Sequence, residues 1–307
     1  MVDMSDLLKK YLFQDNSTRI QAVRLTQAWQ TGLAHQNLPD CVRNLLGELM
    51  SAAVLLASNI KFDGSLVLQL QGDGPVSLIV VECNADLTIR ATATLREDAD
   101  VPANGTLQTL LNTQGEGRFS VILDPGKQTT DLQPYQGIVP LEGETVAKVL
   151  EHYMQHSEQL DTRLWLSADE NCSSGLLLQK LPDHGGHADA PSEESWDRAV
   201  TLANTLQTEE LRELDTDTLI KRLFWEEALL TFEPQSITWH CPCTRERVGN
   251  MLRMLGLDEV QSILSERETV DVSCNFCGQP YQFDAVDCAS LFTDNPDSAH
   301  ANPRSIH

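Results

Sequence analysis

The pattern of apolar and polar residues divides the first 180 residues into recognisable elements. Residues 40–58 carry apolar side chains at helical spacing, with Asp40 as the predicted N-cap. A second helix is predicted over 144–159. Alternating or continuous apolar runs predict strands over SLVLQLQ (65–71), VSLIVVE (76–82), DLTIRATATL (86–95), GRFSVILD (117–124), TRLWLSA (162–168) and GLLLQKL (175–181). Because the strands come in runs with the helices apart from them, we predict an α+β fold, with a mixed α/β-sheet N-terminal domain over 1–182.

The next segment, 183–235, is predicted to be a helical linker. It opens on a stretch rich in Gly, Pro, His and acidic residues, which is typical of a loop. Two amphipathic helices follow. The first would be capped by Ser192 and carries Trp196, Val200, Ala203 and Leu206 on one face. The second, over 215–232, has a stripe of Leu219, Leu223, Phe224 and Leu230.

Both predicted linker helices are short and highly charged, so their stability depends on tertiary contacts and the linker is expected to be metastable. Their apolar stripe must be covered by a partner surface, or else it is a binding surface.

A third part, 236–290, contains four cysteines in two tight pairs, within WHCPCTRER (239–247) and SCNFCG (273–278). Two short helices joined at Gly256 are predicted between the pairs, and two short strands are predicted to form a hairpin around CNFCG. The polar tail over 291–307 is predicted to be disordered.

Charge and composition narrow the functional classes. The formal net charge of -23 argues against a protein that binds nucleic acid, which needs a basic surface. The N-terminus lacks the apolar core of a signal peptide, and no apolar run of 18 residues is present. We therefore expect a cytoplasmic protein without membrane attachment. In that reducing compartment its eight cysteines are expected to be thiols or metal ligands.

The four paired cysteines, Cys241, Cys243, Cys274 and Cys277, predict a zinc site. Zinc prefers four thiolates in a tetrahedron, and CxxC followed by Gly278 is typical of a zinc knuckle. The CxC pair needs a curled loop, which Pro242 fits. His240 is a competing but less favoured ligand. So small a segment would draw much of its folding energy from one zinc ion.

Three functions are compatible with such a site. From the residues alone, a structural zinc-ribbon interaction module is favoured first and an oxidation-activated chaperone second. A thiol oxidoreductase that uses CNFC comes third, because its motif lies in a zinc-knuckle context. The spacing of each pair would allow a local disulfide to form. Arg245 and Arg247 lie close to Cys243 in the sequence, and thiolates near arginine are the form that oxidants attack. A redox switch is therefore chemically possible.

The chain resembles the redox-regulated heat-shock chaperone family of about thirty-three kilodaltons (heat shock protein thirty-three). The resemblance covers nearly the whole chain and rests on CxC–x30–CxxC–G followed by YxFD, on GDGPVSLIVVE (72–82) and on PYQGIVPLEGETVAKVLEHYMQHSEQL (134–160). It implies an ATP-independent holdase that is monomeric, zinc-bound and inactive when reduced. Oxidation would form Cys241–Cys243 and Cys274–Cys277 disulfides and release zinc. The linker would then unfold, and a homodimer would hold unfolding client proteins.

The resemblance also sets expectations for the remaining residues. Leu219, Leu223, Phe224 and Trp225 are the expected client-binding positions. Without a GxxxxGK loop or a nucleophile paired with a base, we expect neither a nucleotide partner nor enzymatic catalysis. The other cysteines, including Cys288, are interpreted as ordinary core or surface residues, and His184 and His187 as part of a flexible polar segment.

Overall fold

A computed structural model describes residues 6–59, 64–126, 133–182 and 193–293 of the chain. Within these ranges, the strands are β1 (Leu7–Phe13), β2 (Thr18–Leu25), β3 (Ser65–Gln71), β4 (Val76–Asn84), β5 (Thr88–Leu95), β6 (Arg118–Asp124), β7 (Tyr135–Pro140), β8 (Thr162–Ala168), β9 (Ser173–Lys180), β10 (Leu229–Thr231), β11 (Gln235–Ser236), β12 (Thr238–Trp239), β13 (Thr269–Ser273) and β14 (Pro280–Asp284). The helices are α1 (Gln27–Leu33), α2 (Asp40–Ala57), α3 (Leu107–Leu111), α4 (Val146–His156), α5 (Glu193–Ala203), α6 (Thr208–Glu213), α7 (Thr216–Phe224), α8 (Arg245–Leu255), α9 (Leu257–Glu266) and α10 (Ala285–Thr293).

The chain forms two compact units, Met1–His240 and Cys241–His307. The first unit contains two six-stranded sheets. In the first sheet the order is β10-β1-β2-β9-β8, and β11 also pairs with β1. In the second sheet the order is β12-β5-β4-β3-β6-β7, where only β12 runs parallel to its neighbour. The separate runs of strands and helices confirm the predicted α+β class.

Helix α2 lies in the core of the first unit and contacts strands of both sheets. Its residues are buried nearly all round, as expected for a helix covered on more than one side. The predicted N-cap is wrong by one position, because Asp40 is the first helical residue and Pro39 precedes it. The Asp40 carboxylate instead pairs with Arg43 one turn later, at 3.0 Å.

Helices α5, α6 and α7, here called the linker helices, pack against the first sheet. Their buried side chains share a second apolar core with β1, β2 and β9, formed by Tyr11, Phe13, Ile20, Ala22, Leu176, Leu178, Trp196, Ala199, Ala203, Leu211, Leu219, Ile220, Leu223 and Phe224. The stripe predicted on 192–206 faces this core. The Ser192 cap lies outside the described residues. The behaviour of 183–235 as a separate linker stays a prediction.

The second predicted linker helix is too long by several residues. Helix α7 ends at Phe224, and Leu229–Thr231 form strand β10 on the open edge of β1. An edge strand offers unpaired backbone groups, and the apolar segment LLTF supplies residues that suit a strand. Leu230 is therefore half exposed in a strand and does not continue the buried stripe. The sequence-based predictions also lack strands β1, β2, β7, β11 and β12 and helices α1, α3, α6 and α10.

The second unit is built as predicted between its cysteine pairs. Helices α8 and α9 meet at Gly256, whose φ of 100° favours glycine, and β13 pairs with β14 as a hairpin. Its apolar core is small and is centred on Leu252, Val260, Val270, Phe283 and Cys288. The predicted tail begins too early, since α10 continues to Thr293, and residues 294–307 lie outside the described ranges.

Among the described helices, none is both long and apolar enough to span a bilayer.

Glu48 on α2 should make the stability of the first unit depend on pH. Burial raises the pKa of its carboxyl to about 7. Since this value lies above that of the unfolded chain, the folded state holds the proton more tightly, and stability falls as pH rises from about 4.5 to 7. We expect Glu48→Gln to gain roughly 2–3 kcal/mol at pH 8 and little at pH 4, measured by urea unfolding. The control is Glu97→Gln at an exposed position, which should change the free energy of unfolding by no more than about 0.5 kcal/mol.

Candidate metal centre

Two loops carry the four paired cysteines. Cys241 and Cys243 follow β12 in an irregular segment that leads into α8, which is the curled loop that the CxC spacing requires. Cys274 and Cys277 lie in the turn between β13 and β14. In that turn the Cys274 N–H donates to the Gln279 carbonyl at 3.0 Å, and the Gly278 N–H donates to the Cys274 carbonyl at 2.7 Å. Gly278 has a φ of 70°, so the predicted need for glycine there is confirmed.

The turn and the loop bring the four sulfur atoms together. All four Sγ atoms lie within 4.8 Å of one another, and each cysteine side chain is partly buried. The Sγ atoms of Cys241 and Cys274 are 3.7 Å apart, and those of Cys243 and Cys277 are 3.3 Å apart. With Zn–S bonds of about 2.3 Å, the edges of a tetrahedral site are about 3.8 Å long. The donor set and its spacing therefore fit a single zinc ion.

Tyr281 contacts the four-thiol cluster and was not singled out from the sequence. Its hydroxyl donates a hydrogen bond to Cys243 Sγ at 3.2 Å. Burial raises the pKa of the Cys243 thiol, but the hydrogen bonds from Tyr281 and with the neighbouring thiols outweigh burial and lower the pKa to about 7. The same hydrogen bond raises the pKa of Tyr281 to about 12. The available sequence signal is that Tyr281 lies only four residues after Cys277.

Cys241 and Cys277 differ from Cys243 in their electrostatics. Burial is the main reason that the pKa of Cys241 is raised, and burial together with hydrogen bonds to the other thiols raises the pKa of Cys277 to about 12. Cys243 therefore ionises before these two thiols in the metal-free cluster.

The two arginines that follow Cys243 in the sequence donate hydrogen bonds to oxygen atoms of neighbouring residues. The Arg245 guanidinium donates to the Asp287 carboxylate and the Gln282 carbonyl, both at 2.7 Å, and lies over the Phe283 ring. Arg247 donates to the Pro242 carbonyl at 3.0 Å. The hydrogen bond to Cys243 Sγ comes from the Tyr281 hydroxyl, whereas these hydrogen bonds of the two arginines hold the chain around the cluster.

The other described cysteines and His240 do not belong to the set of four thiols. In the described part of the chain, the four paired cysteines are the only set of three or more Cys, His, Asp or Glu ligands close enough to share a metal ion. His240 is not in that set; its backbone N–H donates to the Ile89 carbonyl in the second sheet. Cys288 is buried in the core of the second unit, as an ordinary core residue would be.

The predicted client-binding residues lie on and just after α7, in the first unit. Leu219, Leu223 and Phe224 are buried against the first sheet, whereas Trp225 is 73% exposed. Phe224 meets Phe13 of β1 in an edge-to-face contact with ring centroids 6.0 Å apart. In the folded first unit, three of the four predicted positions are therefore inaccessible to a client.

Comparisons with known proteins agree along the length of the chain. A family model described as Hsp33 protein matches residues 6–284. The 33 kDa chaperonin of Methylobacillus flagellatus is 46% identical over 293 residues, which cover 95% of this chain and 96% of that protein. The 33 kDa chaperonin of Chromobacterium violaceum is 45% identical over 288 residues, with 94% of both chains covered. The crystal structure of the Thermotoga maritima 33 kDa chaperonin, a heat shock protein 33 homolog, has the same fold, with a TM-score of 0.78 at 20% identity over 94% of this chain and 98% of that one.

Proposed function

This chain belongs to the Hsp33 family of chaperones, and from that premise we propose that it is a redox-regulated, ATP-independent holdase. The observation that carries the proposal is the cluster of four sulfur atoms within 4.8 Å of one another, drawn from two loops. A site of this kind can exist in a metal-binding thiolate form or in a disulfide form, and the two forms have opposite effects on the fold around it.

In the reduced protein, Cys241, Cys243, Cys274 and Cys277 would hold one zinc ion. Bound zinc would cross-link the two loops and supply folding energy to a unit whose own core is small. In that state the linker helices keep Leu219, Leu223 and Phe224 buried, so little apolar surface is available to a client. The zinc-loaded protein would therefore be inactive and monomeric.

Peroxide would convert the site to its disulfide form. In each pair, one thiolate attacks a peroxide oxygen and becomes a sulfenic acid, and hydroxide leaves. The second thiolate then attacks the sulfenic sulfur, forming the disulfide and releasing a second hydroxide, so that two thiolates and one hydrogen peroxide give one disulfide and two hydroxide ions. With Cys241–Cys243 and Cys274–Cys277 oxidised, the site has no thiolate ligands left for zinc.

The covalent connection between the site and the linker helices supports the coupling. From α7 the chain runs through β10, β11 and β12 directly into Cys241. Trp239 of β12 packs on Gly32 of α1, where an added Cβ would clash with the indole ring. If the residues after His240 lost their structure, the segment from β10 to β12 would no longer be held at its C-terminal end. The linker helices would then detach and expose Leu219, Leu223, Phe224 and the neighbouring sheet to clients.

The partners follow from this scheme. Unfolding proteins would bind the exposed apolar surface, and the oxidised chain would form a homodimer that shields part of it. The activity is binding rather than catalysis, and it would need neither nucleotide nor nucleic acid, in keeping with the net charge of -23. We place it in the cytoplasm, where cysteines are kept reduced until oxidants appear.

The proposal is tested by following zinc and client together. Reduced, zinc-loaded protein is treated with peroxide under mild heating, zinc release is read with a colorimetric chelator, and light scattering of an unfolding client is recorded in the same sample. We expect about one zinc ion to leave per chain as aggregation is suppressed, and a thiol reductant with added zinc to reverse both changes. Zinc that stays bound, or that leaves without any gain in client holding, would favour a structural zinc-ribbon module instead.

Cys172 offers an internal reporter for the linker step. It is 3% exposed, and its Sγ faces the Arg212 carbonyl of α6 at 3.6 Å. Burial raises the pKa of its thiol, so it should react slowly with alkylating agents while α6 is docked. Peptide-level mass spectrometry after brief alkylation should show Cys172 labelled faster once zinc has left.

A further inference from the structure

Two histidines lie side by side on the outer face of α4. His152 and His156 are both exposed, and their imidazole centroids are 4.1 Å apart with an interplanar angle of 48°. The opposite face of α4 is buried through residues such as Val149 and Leu150. Side chains four residues apart share one helix face, and this spacing is the one by which two helical histidines chelate a metal ion.

A hydrogen bond prepares one of these rings to act as a ligand. His156 Nδ1 lies 3.0 Å from the His152 carbonyl oxygen. Because a carbonyl oxygen can only accept, Nδ1 must carry the proton in this contact, which leaves the lone pair of Nε2 free in the neutral ring. Metal-binding histidines commonly hold their second nitrogen in this way, by donating to a backbone carbonyl.

The end of α4 also favours positive charge. His156 lies in the last turn of the helix, where the partial negative charge of the terminal carbonyl groups stabilises a nearby cation. The whole chain carries a net charge of -23, which adds a long-range attraction for cations. Neither effect selects a metal, but both favour a divalent cation beside the paired rings.

We propose that His152 and His156 form a second metal site, which takes divalent transition metals that bind imidazole well, such as Ni²⁺ and Cu²⁺. Two cis nitrogen ligands at about 2.0–2.1 Å from a metal ion lie about 2.9–3.4 Å apart, which rings with centroids 4.1 Å apart can provide by small rotations. In the described ranges no third Cys, His, Asp or Glu ligand joins the pair, so water completes the coordination. The site is therefore weaker than the four-thiol cluster and differs from it in metal preference.

The test uses the reduced, zinc-loaded full chain titrated with Ni²⁺ by isothermal calorimetry. Nickel is the probe because, unlike Cu²⁺, it does not oxidise thiols. We expect one additional Ni²⁺ per chain, with zinc retained in the protein. His152→Gln and His156→Gln should each weaken binding at least about tenfold. The double variant should be little weaker than either single variant, because removing one arm already abolishes the chelate.

Matched substitutions separate this site from other histidines. His35→Gln removes another exposed histidine, and the paired His184→Gln and His187→Gln changes remove the histidines of the HGGH segment. All of these variants should bind Ni²⁺ like the parent chain. Loss of binding in the HGGH variant, additive losses in the α4 variants, or Ni²⁺ uptake matched by zinc loss would each overturn the assignment.

Discussion

Cys274→Ser is expected to lower the zinc affinity of the protein at least about a hundredfold and to leave the second unit largely unfolded. A serine hydroxyl is not an anionic ligand at neutral pH, so the site would keep only three thiolates. Structural zinc supplies about 10–16 kcal/mol to small domains of this kind, and the core here is small. Zinc content, measured by atomic absorption after dialysis, and proteolysis after residue 240 provide the readouts.

Cys288→Ala is the matched control for that substitution. Cys288 lies in the same unit and is a thiol, but it is outside the four-thiol cluster. Its replacement leaves a small cavity and should cost about 1–2 kcal/mol, while zinc stays bound. If Cys274→Ser retained zinc and switched normally with peroxide, Cys274 would not be a ligand and the pairing with Cys277 would be wrong.

Phe224→Ala should weaken the docking of α7 on the first sheet by about 3–5 kcal/mol. Phe224 is 2% exposed and meets Phe13 edge to face, so truncation loses both burial and an aromatic contact. Under the proposed mechanism, the linker helices would detach at lower oxidant doses, and part of the protein would hold clients without any oxidant. The peroxide dose that half-suppresses client aggregation measures this shift, with Cys172 alkylation as the second readout.

The neighbouring Trp225 provides a sharp control for Phe224. It follows Phe224 directly but is 73% exposed, so Trp225→Ala should change docking by no more than about 0.5 kcal/mol. Because both positions are expected client contacts, docking itself is compared through Cys172 alkylation, and equal labelling rates of the two variants without oxidant would show that Phe224 does not hold the linker helices on the sheet. Should Phe224→Ala fail to fold, Phe224→Leu keeps most of the volume and should give a smaller shift in the same direction.

Several features were predictable from the sequence because they depend on local spacing. Strand β3 alternates between buried and less buried residues as half-buried strands do, and α2 and α4 carry apolar residues at helical spacing. The knuckle residues Cys274, Cys277 and Gly278 are close in sequence, so their chemistry and the need for positive φ can be inferred without a fold. Cys241 and Cys243 are predicted as the other two ligands because structural zinc is bound by four groups, commonly thiolates.

The resemblance to a known family carries information about function that the spacing of the cysteines does not. From the residues alone a structural zinc module was the favoured function, whereas the family match over residues 6–284 makes the chain a chaperone. Spacing describes which metal a site can hold, but it contains no information on what happens to the rest of the protein when the metal leaves.

The sequence was enough to predict the α+β class, six of the twelve described strands of the first unit, the helices between the cysteine pairs and the set of four thiols. The tertiary structure was needed to show that Leu229–Thr231 pair with β1 outside the predicted helix, that the Tyr281 hydroxyl donates to Cys243, and that His152 and His156 lie together with one ring nitrogen already hydrogen-bonded. Periodicity reports the preferences of neighbouring residues and the side that is buried. Which strand edge is open, and which side chain reaches a sulfur atom, depends on segments that are distant in sequence and meet only when the chain has folded.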